Sequence, residues 1–206
     1  MHYFITGVSS QRARVHLKSG ESKFDAEVFT VIWRQPCSVI FGMQDESHFM
    51  WWHKKFVSLE YLLTADVTLC SIDAEYAYFV KTPKNIDIYN TDHHPFMFKA
   101  QQHYAEEVIA ITNDKLLHLS KRLRKSSCSI TFLLHSIRCG STALCQAFNS
   151  LPGWKVLAET GFPHKYLYDM RYKYGKSVTD VVKSEEFYDI SEACIRVFIK
   201  DFDSKQ

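Results

Sequence analysis

Cys128–Leu134 (CSITFLL) is a near-continuous apolar run, and runs of this kind suit a strand covered on both faces, as in a parallel sheet. The polar, glycine-containing HSIRCGS follows it. STALCQAFNSL then carries apolar residues at 144, 147, 148 and 151, spaced for one face of a helix. LPGW predicts a turn, and KVLAET reads as a second strand. Strand, loop, helix, turn and strand make a βαβ unit, so the expected fold class is α/β. Such folds bind ligands at the carboxyl ends of their strands, which directs attention to residues 135–142.

The chemistry of that loop favours an anion. Gly140 lets the backbone approach a ligand closely, and the helix opening at Ser141 and Thr142 offers free N–H groups and a positive dipole end. Arg138 adds a permanent charge with a donor fork suited to phosphate or sulfate oxygens. The loop of nucleoside triphosphatases, G-x-x-x-x-G-K-[ST], is not matched: Ser141 stands at its lysine position and His135 at its first glycine. Cys139 within the loop is a conceivable nucleophile, but the C-x-x-x-x-x-R pattern of cysteine phosphatases fails because Cys145 stands where the arginine belongs.

What the segment resembles is the 5′-phosphosulfate loop of the sulfotransferase superfamily, K/R-x-G-[ST]-[ST], here Arg138, Cys139, Gly140, Ser141 and Thr142. FLLHSIRCGSTALCQAFNSLPGW looks like the arginine-type loop of carbohydrate and related sulfotransferases, and the resemblance covers residues 128 to 165, about a fifth of the chain. It implies a P-loop nucleotide fold with a parallel sheet and bound 3′-phosphoadenosine 5′-phosphosulfate (PAPS). A sulfuryl group would pass from it to an acceptor hydroxyl or amine. Arg138 would oppose the negative charge that builds in transfer, and Cys139, Gly140, Ser141 and Thr142 would hold the phosphosulfate. Glu159, in AETGF, takes the position where carbohydrate-type members often place a catalytic glutamate, with His135 and His164 as rival bases.

The family's 3′-phosphate pattern, R-x-x-x-x-x-x-x-S, has no convincing copy. Arg196 and Ser204 stand at a suitable separation, but the strand-like VFIKDF between them argues for chance. With the chain ending at Gln206, the parallel sheet is expected to be incomplete, as in a truncated form. Two further readings stay open. One is an atypical P-loop phosphotransferase; the other is a non-catalytic binding or scaffold protein that kept the fold. The loop can also be a tight strand-to-helix turn in an inert α/β domain.

Residues 1–92 read as a smaller β-rich module and 93–206 as a long helix plus the partial sulfotransferase-like domain. YFITGV, ARVHL, AEVFTVIW, CSVIFG, VTLCSI and YAYFVKT are strand-like runs. SHFMWWHKKFVSLEYLL suggests a helix packed on them, and TPKNIDIYNTDHHP is turn-rich. From Phe96 to Arg124, apolar positions at 105, 108, 109, 112, 116, 119 and 123 predict one long amphipathic helix, or two broken near Asn113. KRLRK at its end suits a helix dipole better than a nucleic-acid patch. Asp92, His93 and His94, with His103 a little further on, invite a metal reading, but a polar loop fits their spacing better. Trp51 and Trp52 beside His53, Lys54 and Lys55 read as half-buried aromatics before a membrane or stacking patch.

With 25 basic and 23 acidic residues, no whole-molecule field draws the chain to nucleic acid, so any anion needs a local site. No apolar run reaches the ~18–20 residues of a membrane span. The six cysteines contain no C-x-x-C, which suits reduced, mostly buried thiols and a cytoplasmic location.

Overall fold

The computed structural model describes residues 25–35, 48–124, 126–133, 139–160, 164–200 and 202. Its centre is a five-stranded sheet made of β1 (Ala26–Arg34), β2 (Phe49–Val57), β3 (Val67–Ile72), β4 (Tyr76–Lys81) and β5 (Glu107–Thr112), in the order β2-β1-β5-β4-β3. Every neighbouring pair is antiparallel. β3 and β4 form a hairpin whose turn is fixed by Asp73: its carboxylate accepts the N–H groups of Glu75 and Tyr76, both at 2.7 Å.

Alternation along the strands builds two cores. On one face Ala77 and Phe79 of β4 meet Ile109 and Ile111 of β5. Tyr76, Tyr78 and Val80 join Val108 and Ala110 on the other, where Trp51 stacks on Phe29 with ring centroids 5.2 Å apart. Val28 and Phe29 of β1 serve opposite cores by the same alternation, while a register shift beside them leaves Lys54 of β2 as the extra residue of the β1–β2 pairing. Helices cover the first face: α1 (Met97–Tyr104), α2 (Asn113–Arg122), α4 (His164–Tyr172), the short α5 (Val178–Val182) and α6 (Glu185–Phe198) all contribute to it, as does a 3-10 turn at Leu59–Leu63. α3 (Ser141–Asn149) buries no residue fully.

The fold is mixed α/β, but the parallel P-loop sheet expected from CSITFLL is corrected: the observed sheet is antiparallel, and residues 128–133 are in no strand. The physical reason is a missing partner. The chain beyond residue 133 supplies only helices among the described residues, so the run is in no strand, with Ile130, Phe132 and Leu133 exposed by 47%, 71% and 45%. KVLAET forms no strand either.

Three helix or strand expectations are also corrected. The long helix over 96–124 is α1, then β5, then α2, because Val108, Ile109, Ile111 and Thr112 are β-branched and fill the slot between β1 and β4. The expected break near Asn113 is real: Thr112 caps α2, its hydroxyl accepting the Lys115 N–H. The helix read over SHFMWWHKKFVSLEYLL is β2 followed by the 3-10 turn. VFIKDF is strand-like in sequence, yet Val197 and Phe198 end α6, which starts on a Ser184 cap. AEVFTVIW, VTLCSI and YAYFVKT are strands as read. YFITGV, ARVHL and CSVIFG lie outside the described residues.

Candidate functional site

The loop that opens α3 is locally built as the sequence suggests. Gly140 has φ +84° and stands immediately before the helix. A Cβ there would meet no atom within 4 Å, so it is the left-handed backbone, and not crowding, that favours glycine. The first intrahelical bond runs from the Leu144 N–H to the Gly140 carbonyl at 3.2 Å, and Gly140 as N-cap offers no side chain to the amides of the first turn. Ser141 and Thr142 are half-buried, Cys139 is exposed, and the first turn carries no acid. Together these make an N-terminus electrostatically open to an anion. Arg138 and His135 lie outside the described residues.

α3 is seated on the 82–96 connection. Gln146 Nε2 donates to the Thr91 carbonyl at 3.3 Å and Asn149 Nδ2 to the Tyr89 carbonyl at 3.4 Å. Phe148 stacks on Trp154 of the following turn at 4.8 Å, which closes that turn against the helix. The chain then passes Ala158, buried with its carbonyl accepting the Met97 N–H at 3.0 Å, and reaches Glu159.

Burial, and then the charge of Glu159, push the Cys145 thiol on α3 above its ordinary range. Glu159 also has φ +53°, an uncommon backbone for a residue with a Cβ. His164, the rival base, is exposed at the start of α4. The 3′-phosphate candidate Arg196 is engaged on α6, where its Nη2 and Nε donate to Glu192 Oε1 at 2.6 and 2.9 Å; Ser204 lies outside the described residues.

His93, His94 and His103, weighed from sequence as metal ligands, do converge on one cleft. Among the described residues, however, no group of three or more His, Cys, Asp or Glu is placed to hold a metal ion. Sequence reasoning missed the two permanent cations that share this cleft, Arg34 and Lys99. Sixty-five positions separate them in sequence, and only the packing of the end of β1 beside α1 unites them. Trp51 is buried between aromatic neighbours while Trp52, the next residue on β2, is 62% exposed, as period-two alternation requires. Among the described residues no helix is long and apolar enough to cross a membrane.

Of the five cysteines among the described residues, Cys70 and Cys194 are buried, Cys128 and Cys145 half-buried and Cys139 exposed, and all five are free thiols. Burial alone drives the Cys194 thiol far above its ordinary value, so it is inert as a nucleophile. No family model matches this sequence, and no curated protein or solved structure matches it.

Proposed function

We propose that the chain is a sulfotransferase-like protein in which the Arg138–Thr142 loop binds the phosphosulfate end of PAPS. The observation that carries this reading is Gly140, left-handed and directly ahead of a helix whose first residues are Ser141 and Thr142. It rests on that local geometry and on the loop's resemblance, not on a parallel sheet. PAPS supplies an activated sulfuryl group; the protein's part is to hold the phosphate oxygens on backbone N–H groups and hydroxyls, with Arg138 opposing the charge that develops on the leaving phosphate. Glu159, whose charge acts on Cys145 of the same helix, accepts the proton of the acceptor hydroxyl or amine as the new S–O or S–N bond forms. The free thiols fit a reducing compartment, and the cytoplasm is the proposed location.

A second reading, a non-catalytic binding protein, is favoured by two observations: residues 128–133 pair with no strand among the described residues, and Arg196 is held by Glu192. Calorimetric titration with 3′-phosphoadenosine 5′-phosphate, against ATP with magnesium, separates the readings. Saturable binding of the first alone, abolished by Arg138→Ala in a folded protein, is the expected result. Preference for ATP with magnesium would favour a phosphotransferase, and binding of neither would leave the non-catalytic reading.

A further inference from the structure

The cleft between the end of β1 and the start of α1 has a volume of about 810 Å³, within the range of small-molecule sites. Arg34, Lys99, His93, His94 and His103 line it, and among the described lining residues there is no aspartate or glutamate. In a chain that balances 25 Lys and Arg against 23 Asp and Glu, two permanent cations with three histidines, and no carboxylate among the described lining residues, are a local departure. Trp33, Phe96 and Tyr104 supply aromatic rings to the lining, and Trp33 is 44% exposed.

These cations are positioned from below. Arg34 Nη2 donates to the Ala105 carbonyl at 2.5 Å, which fixes the guanidinium at the wall. Lys99 Nζ lies 4.7 Å above the Phe96 ring centroid, and Gln102 Nε2 closes the base through the Gln35 carbonyl at 2.7 Å. His94 packs edge-on to Tyr104 at 5.3 Å, and Tyr104 in turn meets His103 at 4.5 Å. Burial, and then the charge of His93, hold the His94 imidazolium back; His103 adds to this and Asp87 opposes it.

We propose that this cleft binds a small phosphate or sulfate monoester carried on a flat ring. The tetrahedral oxyanion sits among Arg34, Lys99 and the imidazole N–H groups, and the ring lies against Trp33 and Phe96. A guanidinium, an ammonium and three imidazoles offer more donors than one carboxylate can accept, whereas a tetrahedral oxyanion presents three outer oxygens. The flat body follows from the aromatic walls. This site shares the 89–97 segment with the seat of α3, but it uses none of the 138–142 loop.

Phenyl phosphate and phenyl sulfate are the probes, with phenol as the neutral control, titrated into the full chain by calorimetry. Saturable binding of at least one ester, none of phenol, and a loss of about tenfold in Lys99→Met are expected. Arg34→Met is the second variant, its fold checked by circular dichroism because Arg34 also anchors Ala105. Arg138→Ala should leave ester binding intact, and Lys99→Met should leave 3′-phosphoadenosine 5′-phosphate binding intact, so failure of one site is distinguishable from failure of the other. No saturable ester binding to the folded protein, unchanged affinity in both cleft variants, or loss of ester binding in Arg138→Ala would overturn the assignment.

Discussion

β3 and residues 128–133 are close in composition and opposite in fate. VTLCSI and CSITFL each mix serine, threonine and cysteine with branched or aromatic apolar residues. All six residues of β3 are buried, whereas 128–133 are exposed or half-buried and belong to no strand. β3 turns through three residues into β4, which supplies its hydrogen-bonding partner, and α6 lies over its face. No such partner stands beside 128–133 among the described residues. Apolar composition makes burial favourable, but a strand also needs its backbone groups paired, and that depends on what else the chain provides.

The sharpest way to break this contrast is to remove side-chain volume from both regions. Phe79 of β4 is completely buried between β3, β5 and the helices. Phe79→Ala should cost about 3–5 kcal/mol, through lost transfer energy and the cavity left behind. Chemical denaturation with an unchanged m-value would show it; a cost below ~1 kcal/mol would mean that the first core is loosely packed.

What the sequence made readable follows the same logic. β1, β3 and β4 were legible because alternation and turn residues agreed, as in the Asp73 turn between VTLCSI and YAYFVK. β5 was not, because Val108, Ile109 and Thr112 satisfy a helical spacing as well as a strand's, and only the open slot between β1 and β4 decides. The end of α6 was hidden by its β-branched residues, although Ser184 with Glu185 and Glu186 behind it is a readable helix start. At the loop, Gly140 and its helix were legible from residue type alone. The path of the chain from α3 to Glu159 was not, since it depends on the Phe148–Trp154 stack and on the hydrogen bond from Met97 to Ala158.

A charged cluster joins the helices to the β3–β4 hairpin and offers the next largest effect. Asp169 of α4 is 1% exposed and faces Lys165 Nζ at 3.2 Å and Lys173 Nζ at 2.8 Å. Asp169→Asn removes the carboxylate that Lys165, itself 7% exposed, meets at 3.2 Å, and should cost about 3 kcal/mol. Burial raises the carboxyl of nearby Asp73 above its ordinary value despite the N–H groups of Glu75 and Tyr76, and the charge of Asp169 raises it further while Lys165 lowers it. A folded-state value above the unfolded one means that the native state binds more protons between the two. The Asp73 contribution to stability is therefore full below its unfolded value and is lost as pH rises through the folded one. Urea titrations across that interval should show this decline for the native protein and a shallower one for Asp169→Asn.

A smaller effect tests the backbone at the candidate site. Glu159 holds φ +53° without being glycine, and relieving such a conformation is worth about 1 kcal/mol. Glu159→Gly should therefore melt at a temperature no lower than the native protein, and the Cys145 thiol should become more reactive as the nearby charge is removed. Thiol titration with a disulfide reagent, on a background with Cys139→Ser to silence the exposed cysteine, reads the second effect directly. Unchanged reactivity would separate Glu159 from the loop helix and remove it from the proposed site.

The smallest expected effect completes the pairing with Phe79. Phe132 is 71% exposed, so its ring has little transfer energy to lose. Phe132→Ser should change stability by no more than about 0.5 kcal/mol. The same change reduces the apolar surface that Ile130 and Leu133 share with it, so the variant should remain monodisperse at concentrations where the native chain begins to self-associate, as light scattering would record. A cost comparable to that of Phe79→Ala would instead show that residues 128–133 find a packing partner in solution. Composition alone would then have been the better guide to their fate, and the dependence on strand partners drawn from β3 would not hold for this segment.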